Sequence, residues 1–162
     1  MTTDMEEKST FEKELDENGV LIYTNVGVSM MPLIKENRDV MIIKKAEPGN
    51  IKRYDAVLFR RENIKGRGKY VLHRILKILP DGKYFIAGDN ETVGETVSPQ
   101  QILGVLVSLK RKDKQIKLEG FKYKAYVYLW CAPYHFRFAV LHTKHFLKYL
   151  VSAVLYKLRI RR

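Results

Sequence analysis

The chain has a single cysteine, Cys131, among 162 residues. One thiol excludes an intrachain disulfide framework and a CxxC-type metal site, and leaves Cys131 to be read as a small buried apolar residue. A leader is not expected either. Residues 1–18 hold seven acids and two lysines, where a signal peptide needs a basic start and an apolar run. They read instead as a short helix carrying Phe11 and Leu15 and stopped by Gly19. Long apolar runs are also scarce. In the aromatic C-terminal third the longest charge-free stretch, 125–136, spans twelve residues and contains Pro133 and His135, short of the roughly 18 that a bilayer span needs. Acidic residues are nearly absent from that third. Residues 1–109 carry 16 basic and 16 acidic side chains, residues 110–162 carry 14 and 2. The net charge of +12 therefore belongs to the end of the chain. There are no internal repeats or low-complexity tracts.

What is present is a folding composition, 46% apolar with 18 aromatics, at a length suited to one ordinary domain. From residue 20 to about 118 the apolar period is two. Strands are expected at 21–26, 39–44, 56–61, 70–78, 84–87 and 103–110, with a last one near 115–118. Turn residues fall between them: Glu47-Pro48-Gly49-Asn50, Gly66-Arg67-Gly68, Pro80-Asp81-Gly82 and Ser98-Pro99. No helical crossover of ten or more residues separates the strands, so a parallel doubly wound sheet is disfavoured and a mainly antiparallel β domain is expected. The expected division is a helix over 1–19, a β domain over 20–118 and a basic helical extension over 119–162. Eleven of the 18 aromatics lie in 121–162, and 138–160 has helical spacing beyond a break at Pro133.

Three stretches hold possible chemistry. In Val26-Gly27-Val28-Ser29-Met30-Met31-Pro32-Leu33, a serine follows a strand at a bend, and Pro32 starts a helical turn whose first amides face outward. Such a hydroxyl is either an N-cap or a nucleophile beside an oxyanion pocket. Within Tyr70-Val71-Leu72-His73-Arg74-Ile75-Leu76, alternation puts His73 on one face and Arg74 on the other, both faces looking buried. An imidazole among apolar neighbours stays neutral near pH 7 and can accept a proton, or it is simply a satisfied core histidine. In Ile86-Ala87-Gly88-Asp89-Asn90-Glu91, with Glu95 and Thr96 following, a turn supplies carboxylates able to orient a histidine.

Taken in order, Gly27-Val28-Ser29-Met30-Met31-Pro32, Asp39, Tyr54-Asp55-Ala56-Val57-Leu58-Phe59, Leu72-His73-Arg74-Ile75 and Gly88-Asp89-Asn90 resemble the type I signal peptidase superfamily, which includes the SOS-repressor autopeptidases. The resemblance runs from about residue 19 to 109. Its His73-Arg74 pair is similar to the histidine-base variant of the archaeal and endoplasmic-reticulum enzymes, where other members use lysine. By that resemblance Ser29 is the nucleophile and His73 the general base. The third member is Glu95 or Asp89: Glu95 stands six residues beyond the Gly-Asp-Asn aspartate, where the family usually has aspartate. Arg38-Asp39 and Tyr54-Asp55 replace the usual Gly-Asp pairs and stiffen both turns. The resemblance does not extend to the N-terminal anchor of true signal peptidases, the helix-turn-helix domain of the repressors or an Ala-Gly cleavage site before Ser29, and none of these is expected here.

The expected activity is that of a serine endopeptidase acting on a peptide or protein precursor, with neither cofactor nor metal. The alternative is a non-catalytic peptide-binding or transcription-regulatory domain of the same fold. For the basic tail, an apolar stripe at 147–158 bordered by Lys144, Lys148, Lys157 and Arg159 favours an anionic membrane surface over nucleic acid. Packing of that stripe on the β domain is the plainer reading. The expected location is cytoplasmic, or peripheral on the cytoplasmic face of a membrane.

Overall fold

A computed structural model describes residues 10–24, 26–47, 49–61 and 69–160. The turns expected at Pro48 and at Gly66-Arg67-Gly68, and the first nine residues, lie outside them. The chain runs α1 (Thr10–Asn18), β1 (Val20–Thr24), β2 (Asp39–Lys45), β3 (Ala56–Arg61), β4 (Lys69–Ile78), β5 (Tyr84–Ala87), β6 (Glu95–Val97), β7 (Ile102–Arg111), β8 (Lys114–Lys117), α2 (Phe121–Tyr126), a π turn over Val127–Cys131 and α3 (Tyr134–Ile160). The strands form one eight-stranded sheet in the order β1-β2-β7-β3-β4-β5-β6, with β8 also on β7. Every pairing is antiparallel. The expected mainly β class, with a short N-terminal helix and a helical C-terminal extension, is the one observed.

Two elements differ from the expectation. β6 was not anticipated, being three residues with polar Glu95 and Thr96, too short for a period to register. It forms because Glu95, Thr96 and Val97 find β5 opposite them, Ile86 facing Glu95 across the ladder. α3 begins at Tyr134 instead of residue 138. Pro133 tolerates a helix start, since its missing N–H is one that the first turn leaves unpaired anyway, and its carbonyl accepts the Arg137 amide at 3.0 Å.

The sheet buries apolar side chains on both faces at its middle. Ala56 and Leu58 of β3 join Leu21, Met41, Ile43, Leu72, Leu106 and Leu109 in one cluster. Their alternates Val57 and Phe59 join Ile75, Ile86, Val97 and Ile102 in another. That is why β3 opens on a continuous apolar run, from Ala56 to Phe59. α1 closes the first cluster: Phe11 and Leu15, four apart, share a face. Leu15 is buried in the core, and the Phe11 ring lies 4.8 Å from Tyr23 and 5.4 Å from Tyr70. The helix ends at Gly19, whose φ of 70° lets its amide reach the Leu15 carbonyl at 3.0 Å.

Asp39, at the start of β2, is fully buried yet charged. Burial opposes its ionisation, but guanidinium donors from Arg38 and Arg111 and the Lys35 amide outweigh that and hold its pKa well below the usual carboxylate range. Asn37 takes the left-handed conformation in this turn, at φ 53°. Among the described residues no helix is long and apolar enough to cross a membrane.

Leu15→Ala should cost about 2–4 kcal/mol in urea unfolding, because the vacated space is walled by the sheet and cannot collapse. Lys13→Ala, exposed on the opposite side of the same helix, should change stability by less than about 0.5 kcal/mol.

Candidate active site

Ser29 sits in the bend between β1 and β2. Gly27 takes φ 117°, a conformation open to glycine, and the chain then turns, the Met31 amide bonding the Val28 carbonyl at 3.1 Å and the Ile34 amide the Met30 carbonyl at 3.0 Å. The buried side chains of Met30 and Ile34 pin this turn to the core, leaving Ser29 half-exposed between them. The helical turn expected after Pro32 does not form: residues 29–33 are turns around a cis Met31-Pro32 bond. The amides of Ser29 and Met30 donate to no main-chain carbonyl among the described residues.

The Gly88-Asp89-Asn90 turn supports the Ser29 bend. The Asn90 amide donates to the Ser29 carbonyl at 2.8 Å, and its side-chain amide to the Val28 carbonyl at 3.2 Å. The approach is so close that a Cβ on Gly88 would lie 2.7 Å from the Ser29 carbonyl oxygen and 3.1 Å from the Ser29 Cβ. Glycine is required here for space.

His73 lies at the middle of β4 opposite Val57, its ring 6.0 Å from that of Phe59. Burial pushes its pKa down to about 4, with Glu95 pulling the other way and Arg61 adding to the depression. The imidazole is therefore neutral at pH 7. Nδ1 is 3.6 Å from Glu95 Oε1 and has no hydrogen bond among the described residues. Glu95 is in turn gripped by Arg61, through Nε to Oε2 at 2.8 Å and Nη2 to Oε1. Ser29, His73 and Glu95 line one cavity of about 550 Å³, walled by Tyr23, Met41, Tyr70 and Val71 and rimmed by exposed Val26, Val28 and Val93.

Asp89 is not in that group. Its side chain meets Arg74, which alternation sends to the face of β4 opposite His73. Arg74 Nε and Nη2 bond the two Asp89 oxygens at 2.8 and 2.7 Å, both side chains fully buried. Arg74 Nη1 reaches the carbonyl of Tyr54, which is held at φ 75° where glycine would be relaxed. The extension completes the shell around Asp89. Tyr126 donates its hydroxyl at 2.8 Å, Cys131 its thiol at 3.6 Å, and the Trp130 indole bonds the Asp89 carbonyl at 3.1 Å. Arg137, also fully buried, donates to the Gly88 carbonyl at 3.3 Å and stands 3.6 Å from Asp89. Burial and then the Asp89 charge push the Cys131 thiol up to about 12 and the Tyr126 hydroxyl higher still, so both stay protonated donors. Cys131 is the buried residue its solitude implied.

Sequence reasoning missed this shell and the Arg61 grip on Glu95. A usable signal was there: Arg137 is the lone charge between Lys124 and Lys144, an isolated guanidinium among aromatics that needed a buried partner. The π turn had no such signal, though it is what brings Tyr126, Trp130 and Cys131 to one place.

Comparison with protein-family models gives no match, and comparisons with curated proteins and with solved structures give none either.

Two outcomes follow from the geometry. Between pH 6.5, the ordinary histidine value, and about 4, the unfolded chain binds a proton at His73 that the native state refuses. The contribution of His73 to stability is therefore complete above pH 6.5 and falls by roughly 3 kcal/mol as pH drops to 4. Urea titrations at a series of pH values should show this slope, and His73→Gln should flatten it. Gly88→Ala should cost about 1–3 kcal/mol in the same assay, since the added methyl meets main chain that cannot swing aside.

Proposed function

We propose that the protein is a serine endopeptidase of the type I signal peptidase superfamily, in its histidine-base variant. The observation that carries this reading is the shared cavity of Ser29, His73 and Glu95, with His73 held neutral. A serine hydroxyl is a weak nucleophile until a base takes its proton. In the proposed reaction His73 presents Nε2 to Ser29, while Nδ1–H points at Glu95, which fixes the tautomer and stabilises the imidazolium that forms. Ser29 Oγ attacks the scissile carbonyl, and the developing oxyanion is met by the main-chain amides at Ser29 and Met30, which donate to no main-chain carbonyl among the described residues. The peptide nitrogen leaves with the proton from His73. Water, deprotonated by the same imidazole, then releases the acyl group. Glu95 is assigned the orienting role and Asp89 a positioning role, through the turn that carries the Ser29 carbonyl. The exposed rim of Val26, Val28 and Val93 suits an extended peptide or precursor with apolar side chains near the cut.

For place of action we favour the cytoplasmic side, where the positive charge after Leu109 meets anionic surroundings. Nothing in the chemistry above calls for a metal or cofactor.

A fluorophosphonate probe tests the reading directly. Labelling of the native protein is expected at Ser29 and lost in Ser29→Ala. His73→Ala should slow it about 10²–10⁴-fold, with Glu95→Gln between the two. Labelling of Ser29→Ala at the native rate would overturn the assignment.

A further inference from the structure

α3 leaves the domain with a bare apolar side. Leu141 is its last buried large side chain among the described residues, and beyond it Leu147, Val151 and Val154 are 55%, 59% and 56% exposed. At 100° per residue these three, with Phe136, Val140 and Leu150, fall within a band about 100° wide along one side of the helix. All six are exposed. Packing on the β domain, the plainer reading of this stripe, is therefore not what occurs. A continuous stripe of this kind on a surface marks a contact waiting for an occupant.

Charge selects the occupant. From residue 120 to the end there are nine Lys and Arg and no Asp or Glu. Lys144 and Lys148 run beside Val140, Leu147 and Val151 along a shallow trough, and on the helical wheel Lys157 borders the stripe's other side. A second copy of the helix would bring like charges together. A nucleic acid would neutralise the lysines and leave the stripe in water. An anionic bilayer answers both needs, because acyl chains take up the apolar side while lysine stems lie along it and deliver their ammonium groups to the headgroups.

We propose that residues 136–154 of α3 lie flat on an anionic lipid surface, the stripe among the upper acyl carbons and Lys144 and Lys148 on the headgroups. The geometry differs from a span, and it stands apart from the Ser29 chemistry. The root of α3 is tied to the β domain through Arg137 on the Gly88 carbonyl and Tyr134 beside Phe85 of β5, so the surface would hold the whole β domain in one orientation.

The test is co-sedimentation of the full chain with vesicles of phosphatidylcholine alone or with about 30% phosphatidylserine. Binding is expected to the mixed vesicles, at least about tenfold weaker to the neutral ones, and weakened by high salt. Leu147→Glu/Val151→Glu/Val154→Glu should lose at least about tenfold, and Lys144→Gln and Lys148→Gln about fivefold each. These positions are exposed, so far-UV circular dichroism and urea midpoints should be unchanged; that control separates lost docking from lost folding. No sedimentation with either vesicle, or equal sedimentation of the triple variant, would overturn the proposal. So would vesicle-independent dimerisation, or oligonucleotide binding, as the only association of the native chain. Probe labelling at Ser29 in the triple variant reads the peptidase assignment independently.

Discussion

One buried carboxylate, Asp89, is the group on which the separate parts of the molecule converge. Arg74 meets it from the sheet, Tyr126 and Cys131 from the turns after β8, and Arg137 from α3. A charge of this kind is tolerable in a core only when its lone pairs are met, and removing one partner of such a pair typically costs about 3–5 kcal/mol. The same turn carries Gly88 and Asn90, which hold the main chain of Ser29. The helical extension is thus part of the structure that fixes the candidate nucleophile. Two guanidinium groups face this single carboxylate, and Arg137 keeps Nε and Nη1 without hydrogen bonds among the described residues.

His73 and Arg74 are neighbours in sequence and divide the work between the two faces of β4. Strand alternation makes this division unavoidable: a one-residue slip in register would exchange the faces, placing a guanidinium in the cavity and an imidazole against Asp89. Register is held by the ladder with β3, where Val57 faces His73 and Ala56 faces Arg74. Glu95 on β6 lies on the His73 side and Asp89 on the Arg74 side.

The electrical division of the chain has a structural counterpart. In the balanced part, charges are paired at short range, as with Asp39 between Arg38 and Arg111. The basic part has two acids of its own, Asp113 and Glu119, and none beyond residue 119, so Arg137, buried in α3, borrows Asp89 from the turn after β5, while its lysines remain at the surface beside apolar side chains. Root and tip of the extension accordingly obey different constraints, the first set by burial and the second by exposure.

Much of this was legible in residues 20–118, because period two, β-branched runs and turn residues act locally and repeat often enough to be counted. The candidates Ser29, His73 and Glu95 were legible as residue types at suggestive intervals, and a buried role for Cys131 followed from its isolation. What the amino-acid order determined, then, was the antiparallel class, the opposite faces of His73 and Arg74, and the confinement of net charge to the tail. Only the tertiary structure decided which carboxylate stands beside the imidazole, that Arg61 grips it, that β6 exists, and that the tail's root closes over Asp89 while its stripe stays bare. The physical reason is that each of these depends on contacts between residues distant in sequence, and neither spacing nor propensity encodes where two distant segments will meet.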